Sequence, residues 1–344
     1  MKTKLFALLA LLTLAGAVLA FSETTFTPTG VIDMIPTSMS DDASIVVGTG
    51  SSGVPNLYYT EAGGAVIIGD GCFSGLPAIS GDGTTVLGCH TNEQGLWNAA
   101  RWLGGTSWLD LGTVAGGIPC DSFLSGAYGV NQDGSLAVGL LYSATLCRAN
   151  AGTWGLTRDG IVLPAEFGET SYTRANAVNA DGSVIVGWQD QPTGERTAAK
   201  WVNGVEEVIL TASGSFNGEA MAVSADGNSI VGGNYGYLNQ QAWIWQPDTG
   251  VQPIAPIGRG SLTALDVSDD GNIVVGFSSN NSAFIWQKGR RARNLITFLR
   301  ARGAVVPDGW QLIAASLISA DGNIIYGWGL NPDNLIEMYK VVLN

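Results

Sequence analysis

The sequence predicts an all-β fold: a single seven-bladed β-propeller of four-stranded blades, its ring closed by an N-terminal strand that pairs with the C-terminal blade. Three observations carry this prediction. One ten-residue block recurs seven times along the 344 residues. Each copy is followed by further short apolar segments, giving four candidate strands in roughly 45 residues, the size of one propeller blade. The composition fits, with 48 glycines, only 13% charged residues and almost no long helical periodicity.

The recurring blocks are MSDDASIVVG (39–48), ISGDGTTVLG (79–88), VNQDGSLAVG (130–139), VNADGSVIVG (178–187), VSADGNSIVG (223–232), VSDDGNIVVG (267–276) and ISADGNIIYG (318–327). They align without gaps. Asp stands at 42, 82, 133, 181, 226, 270 and 321, and a glycine follows six residues later in every copy. Each block reads as a hairpin. Glycine after the Asp supplies the positive φ of a two-residue turn, and the Asp carboxylate bonds the next backbone N–H groups. In the first copy Ala43 replaces that glycine, so this turn is expected to be strained or of another type. The second glycine is expected to mark a bulge or a close backbone approach.

A catalytic or calcium-binding role for Asp42, Asp82, Asp133, Asp181, Asp226, Asp270 and Asp321 is set aside. One carboxylate per blade leaves them too far apart to share a cation, so they are assigned to the turns. The runs SIVVG and SVIVG are continuously apolar, as expected of strands covered on both faces by neighbouring blades. The third segment of each repeat is aromatic, with Trp102, Trp154, Trp201, Trp245 and Trp286 expected to pack between blades.

The last copy stops after its third strand, whereas TPTGVIDMI (27–35) precedes the first copy and resembles a fourth strand. Residues 27–35 are therefore expected to complete the last blade and remove its open edge. Residues 1–20 read as a signal peptide, with Lys2 and Lys4, an apolar stretch over 5–19 and cleavage after Ala20. That places a single domain at 21–344, with no transmembrane segment after cleavage, and a secreted location, extracellular or periplasmic.

Formal charge is −13, and −15 without the two leader lysines. No basic patch to hold phosphates is evident, which argues against nucleic acid as a partner. The four cysteines have no CxxC spacing and His90 is the only histidine, so no metal site and no cofactor are expected. Loops of a blade alternate faces. Cys72 and Cys120 fall in crossovers entering blades two and three, and Cys89 and Cys147 fall at the second-to-third loops of those blades. Of three possible pairings this favours Cys72–Cys89 and Cys120–Cys147, the alternative being four buried free thiols.

The long variable segments also fall on this crossover face, where loops held by a rigid scaffold can bind. Trp188, Tyr235, Tyr237, Asn239, Gln240 and His90 are the candidate binding residues there, set against the plain alternative of solvated loops. NSAFIWQKG (281–289), QAWIWQPDTG (241–250) and the segment 294–329 resemble the HAF-type extracellular repeat family. In the last segment, residues 296–302 correspond to a short helix and Gly309-Trp310-Gln311-Leu312 to a strand. Ser282, Gln241 and Thr197 stand where the signature has histidine. The resemblance implies export and a propeller-like fold but supplies no catalytic residues.

The sequence thus points first to a non-enzymatic binding or interaction module with a glycan or protein partner. One alternative is an extracellular polysaccharide hydrolase or lyase, for which Glu166, Glu169, Asp190, Glu195 and Glu219 are the carboxylates outside the repeat. Another is a structural envelope or assembly subunit.

Overall fold

A computed structural model describes residues 23–344 except 53–54, 73–74, 115–122, 143–146, 156–159, 169–170, 216, 234–240 and 259. The expected signal peptide lies outside the described residues. Seven antiparallel sheets of four strands each form a ring, one sheet per sequence repeat. Blade four is representative: Thr173–Val178, Val184–Asp190, Arg196–Val202 and Val205–Val208 pair in sequence order. Blade seven departs as expected. Its first three strands are Gln311–Ile318, Ile324–Leu330 and Ile336–Val342, and its fourth is Thr25–Ile32 from the other end of the chain. In this closure Thr25 pairs with Val342 and Pro28 with Tyr339. The closing strand ends sooner than expected, because Met34 and Ile35 already belong to the first strand of blade one, Met34–Met39.

The core consists of seven apolar clusters, one at each interface between blades. Successive side chains on a strand point to opposite faces, which explains the continuous apolar runs. Val46 faces blade seven while Val47 faces blade two. Ile185 faces blade three while Val186 faces blade five. The third-strand tryptophans sit in these interfaces. Trp154 and Trp201 are fully buried, and Trp201 Nε1 donates to the Pro164 carbonyl at 2.8 Å. Between blades six and seven lies the helix Leu295–Arg300, one residue earlier than expected, with Leu295, Phe298 and Leu299 in the core beside Trp310.

The repeated turn is a four-residue loop rather than a two-residue one. In blade one, the Ser40 N–H donates to the Ile45 carbonyl at 3.0 Å, and the Ile45 N–H returns to Ser40 Oγ at 3.1 Å. Within the loop, Asp42 Oδ1 accepts from Ser40 Oγ and from the Ser44 N–H. The same Asp-to-backbone bond recurs in all seven copies. Hydrogen bonding holds all seven carboxyls below the usual carboxylate range, Ser40 making the largest contribution at Asp42 and Ser80 at Asp82. At Asp226 and Asp270 burial pulls upward, and the bonds from Ser224, Asn228, Ser268 and Asn272 outweigh it.

Six copies place glycine at positive φ after the Asp, between 66° and 79°. Ala43 adopts the same geometry at φ 55°, so its turn is of the common type and strained. Its methyl group is buried in the cluster between blades seven and one, which offsets that strain.

Candidate functional site

The innermost strands create a channel along the axis of the ring. Six of them carry a β-bulge, and the extra residue lines the channel: Thr37, Tyr128, Asn176, Met221, Leu265 and Ser316. The second repeat glycine accounts for this bulge. A Cβ at Gly48, Gly139, Gly187, Gly232, Gly276 or Gly327 would collide with a carbonyl oxygen of the first strand, next to the bulge. Without a side chain, the second strand lies close enough to force the extra residue inward. Gly88 is the exception. The first strand of its blade is only Ala78–Ile79, and no carbonyl is near its virtual Cβ.

The channel has a volume of about 840 Å³. The first strands run from the crossover face toward the Asp-Gly turns, so their leading residues ring the crossover mouth. The channel wall includes Arg174 and Tyr128, which pack together, and two residues of other blades that directly follow a repeat glycine, Phe277 and Trp328. All four are half-buried. Asn176 lies deeper, accepting from Arg174 Nε at 2.7 Å and donating to the Ala220 carbonyl at 2.7 Å.

A dense packing of side chains fixes Arg174. Its guanidinium carbon lies 4.5 Å from the Tyr128 ring centroid and 5.4 Å from that of Trp188, and its Nη2 donates to Glu219 Oε2 at 3.0 Å. Arg196 covers the Trp188 ring at 3.6 Å and bonds both Glu219 and Asp190. Glu219 is buried between the two arginines, whose charges compensate its desolvation.

Trp188, expected from the sequence to begin a crossover-face loop, does not. It lies within the strand Val184–Asp190 with only 6% of its surface exposed, behind Arg174 rather than on the channel wall. His90 also lies in a strand, Val86–Thr91, half-buried and stacked on Trp108 at 6.2 Å. Tyr235, Tyr237, Asn239 and Gln240 lie outside the described residues. Phe277 and Trp328, which the sequence reading did not select, share with Trp188 the position directly after the repeat glycine. That shared register was the available signal.

Of the carboxylates considered for catalysis, Glu169 lies outside the described residues and Glu195 is exposed in a turn. The Glu166 backbone N–H donates to Glu206 at the outer edge of blade four. Burial pushes the Glu206 carboxyl up to about 7, with the Glu166 charge adding to the rise. Asp190 and Glu219 are brought together through Arg196. Asp266 on the channel wall is an addition. Burial pushes its carboxyl up to about 7 against two backbone donors, Ile318 N–H at 2.8 Å and Val267 N–H at 2.9 Å. Among the described residues no group of three or more His, Cys, Asp or Glu is placed to hold a metal ion.

Cys72 and Cys89 form a disulfide, as expected. Cys147 is also disulfide-bonded, and Cys120, its expected partner, lies outside the described residues.

These features define a seven-bladed β-propeller with a side-chain-lined axial channel. No protein-family profile matches the chain, and no curated protein resembles it in sequence. The seven-bladed propeller that the HAF-type resemblance implied is present, while the family itself finds no match. Solved structures of similar fold include an oligogalacturonate lyase from Vibrio parahaemolyticus, with a TM-score of 0.61, 13% identity and 93% of each chain covered. An oligogalacturonate lyase in complex with manganese matches with a TM-score of 0.59 and 14% identity over 93% of each chain. Hydrazine synthase from Kuenenia stuttgartiensis matches with a TM-score of 0.53 and 12% identity over 93% of this chain and 97% of that one. At such identities the likeness extends to the fold alone.

Proposed function

We propose that the protein is a secreted binding module that holds a glycan at the crossover mouth of its channel. One observation carries this reading: Tyr128, Phe277 and Trp328 line the same channel as the immobilised guanidinium of Arg174. Aromatic faces receive the C–H surfaces of sugars, and a fixed polar group between them orients hydroxyls. Export is supported by the leader-like residues 1–20 and by the Cys72–Cys89 disulfide. Among the described residues no helix is long and apolar enough to cross a membrane. Membership of the HAF-type family is part of the same proposal and rests on the repeat blocks.

The test is a glycan array followed by titration calorimetry of the mature protein. Trp328→Ala and Tyr128→Ala should each weaken binding at least tenfold, about 1.4 kcal/mol, with the fold unchanged by circular dichroism. Undiminished binding by both variants would overturn the assignment of the mouth.

A second reading, a polysaccharide lyase or hydrolase, is favoured by Asp266. A channel carboxyl pushed up to about 7 is suited to proton transfer near neutrality. The fold shared with two oligogalacturonate lyases is in keeping with it. Release of unsaturated or shortened oligosaccharides, abolished in Asp266→Asn without loss of binding, would establish this reading over the first.

A further inference from the structure

The expectation that the chain lacks a basic patch does not hold locally. Six of its sixteen lysines and arginines fall between positions 288 and 302, a stretch without an acidic residue. The fold gathers them at one place. The turn after the third strand of blade six contributes Lys288 and Arg290, the fourth strand Arg293–Asn294 contributes Arg293, and the segment after the short helix brings back Arg302. These four side chains line a cleft of about 620 Å³ together with Asp270, Ile273 and the neutral amides of Asn272 and Gln287. The Asp270 carboxylate is held within its own turn by Ser268 and Asn272. The cleft opens on the Asp-Gly turn face, opposite the crossover mouth of the channel.

Two arginines are held in place. Arg293 and Arg302 stack on the Phe298 ring, with guanidinium carbons 4.4 and 4.5 Å from its centroid. Arg293 Nη2 donates to Gln287 Oε1, and Arg302 Nη1 to the Asn344 carbonyl, both at 3.0 Å. The Gln287 partner is a neutral amide. Among the described residues none of the six cations forms an ion pair, although the chain is strongly acidic. Burial, with the neighbouring Arg302 and Arg290 charges adding to it, lowers the pKa of the Arg293 guanidinium. Four cations against the single Asp270 carboxylate leave the cleft positive, and the two guanidinium groups fixed by stacking form a pre-organised oxyanion receptor.

We propose that this cleft binds an acidic sugar, through a carboxylate or sulfate seated between Arg290, Arg293 and Arg302. Guanidinium forks match the planar carboxylate and the sulfate oxygens, and the bordering amides suit sugar hydroxyls. The surrounding field limits the ligand's size. Asp226 and Asp321 occupy the flanking turns and stay ionised, so a long polyanion lying across this face is repelled. The cleft therefore takes a single acidic residue or the end of a chain.

Calorimetry at low salt tests the proposal, using uronate and sulfated disaccharides, their neutral counterparts, inorganic sulfate and anionic phospholipid vesicles. An acidic disaccharide should bind and its neutral counterpart should not. Lys288→Gln/Arg290→Gln, which neutralises two exposed side chains outside the core, should weaken binding at least tenfold without changing the melting temperature. Arg302→Ala should do the same. Trp328→Ala should leave it unchanged, which separates this site from the one at the channel mouth. Absence of acidic-disaccharide binding, indifference to the double substitution, or binding of sulfate or vesicles as tight as that of the sugar would each overturn the proposal.

Discussion

Gly187→Ala and Gly88→Ala change the same position of the repeat, yet the structure predicts very different outcomes. At Gly187 the new methyl would strike the Arg174 carbonyl oxygen, part of the backbone of the paired strand. Backbone cannot rotate away as a side chain can, so the two strands must separate locally. Overpacking of this kind costs about 1–3 kcal/mol, and losing one ladder hydrogen bond adds about 1 kcal/mol. The expected total is about 2–4 kcal/mol. At Gly88 the nearest atoms are Asn56 Nδ2 and the edge of the Trp108 ring, both at 3.3 Å. Shifts of a few tenths of an ångström in two side chains suffice, and the cost should stay below about 1 kcal/mol. Urea denaturation monitored by tryptophan fluorescence gives both values from midpoints at constant slope. If Gly88→Ala proved as damaging as Gly187→Ala, the account of the repeat glycine as a backbone contact that generates the bulge would fail.

Ring closure gives a second prediction. Removing residues 21–32 should unmask the edge of Ile336–Val342 and abolish cooperative unfolding, and an unchanged melting temperature would refute the closure. More locally, Phe26→Ala should cost about 3 kcal/mol, because its ring packs 5.2 Å from Trp310 and 5.6 Å from Tyr339. The turn carboxylates predict acid lability. Their folded values lie below the unfolded one near 3.9, so the stability they contribute is present above about pH 4 and lost as pH falls through those lowered values. Glu206 and Asp266 act in the opposite sense: raised to about 7, they reduce stability as pH climbs from about 4 toward 7. Asp266→Asn should flatten that decline, and identical urea midpoints for the wild type at pH 5 and pH 8 would contradict it. Cys72→Ser/Cys89→Ser should lose about 2–4 kcal/mol. Non-reducing peptide mapping should recover a Cys120–Cys147 peptide, and any cross-blade pair would refute that assignment.

Much of the fold was legible because a propeller writes its period into the chain. Asp181, Gly182 and Gly187 recur for reasons local to one hairpin, and such reasons survive in sequence. The loop length was misread, since the Asn179 side chain caps the turn through a bond to the Val184 N–H that a two-residue model omits. The site was less legible. Trp188, Phe277 and Trp328 share a repeat position, but one lies behind Arg174 and two line the channel. Blades four and six share one register, but Trp188 pairs with Arg174, whose guanidinium covers its ring, whereas Phe277 pairs with the short Thr263. Asp266 was passed over because its neighbour Leu265 is the bulged residue, a distinction visible only once the pairing register is known. The basic cleft escaped notice because a net charge averages over a ring whose turns are uniformly acidic.

The bulged residues separate two tasks that most β-proteins impose on the same side chain. Thr37, Tyr128, Asn176, Met221, Leu265 and Ser316 face the channel, while the interface clusters are built from their neighbours. Replacing one of them alters the lumen and leaves the hydrophobic contacts between blades intact. Met221, Leu265 and Ser316 are thus positions whose side chains can change with little effect on those contacts, whereas Thr37 and Asn176 also bond the next blade and Tyr128 holds Arg174. A scaffold of this kind can acquire a new specificity one blade at a time, without passing through an unfolded ancestor.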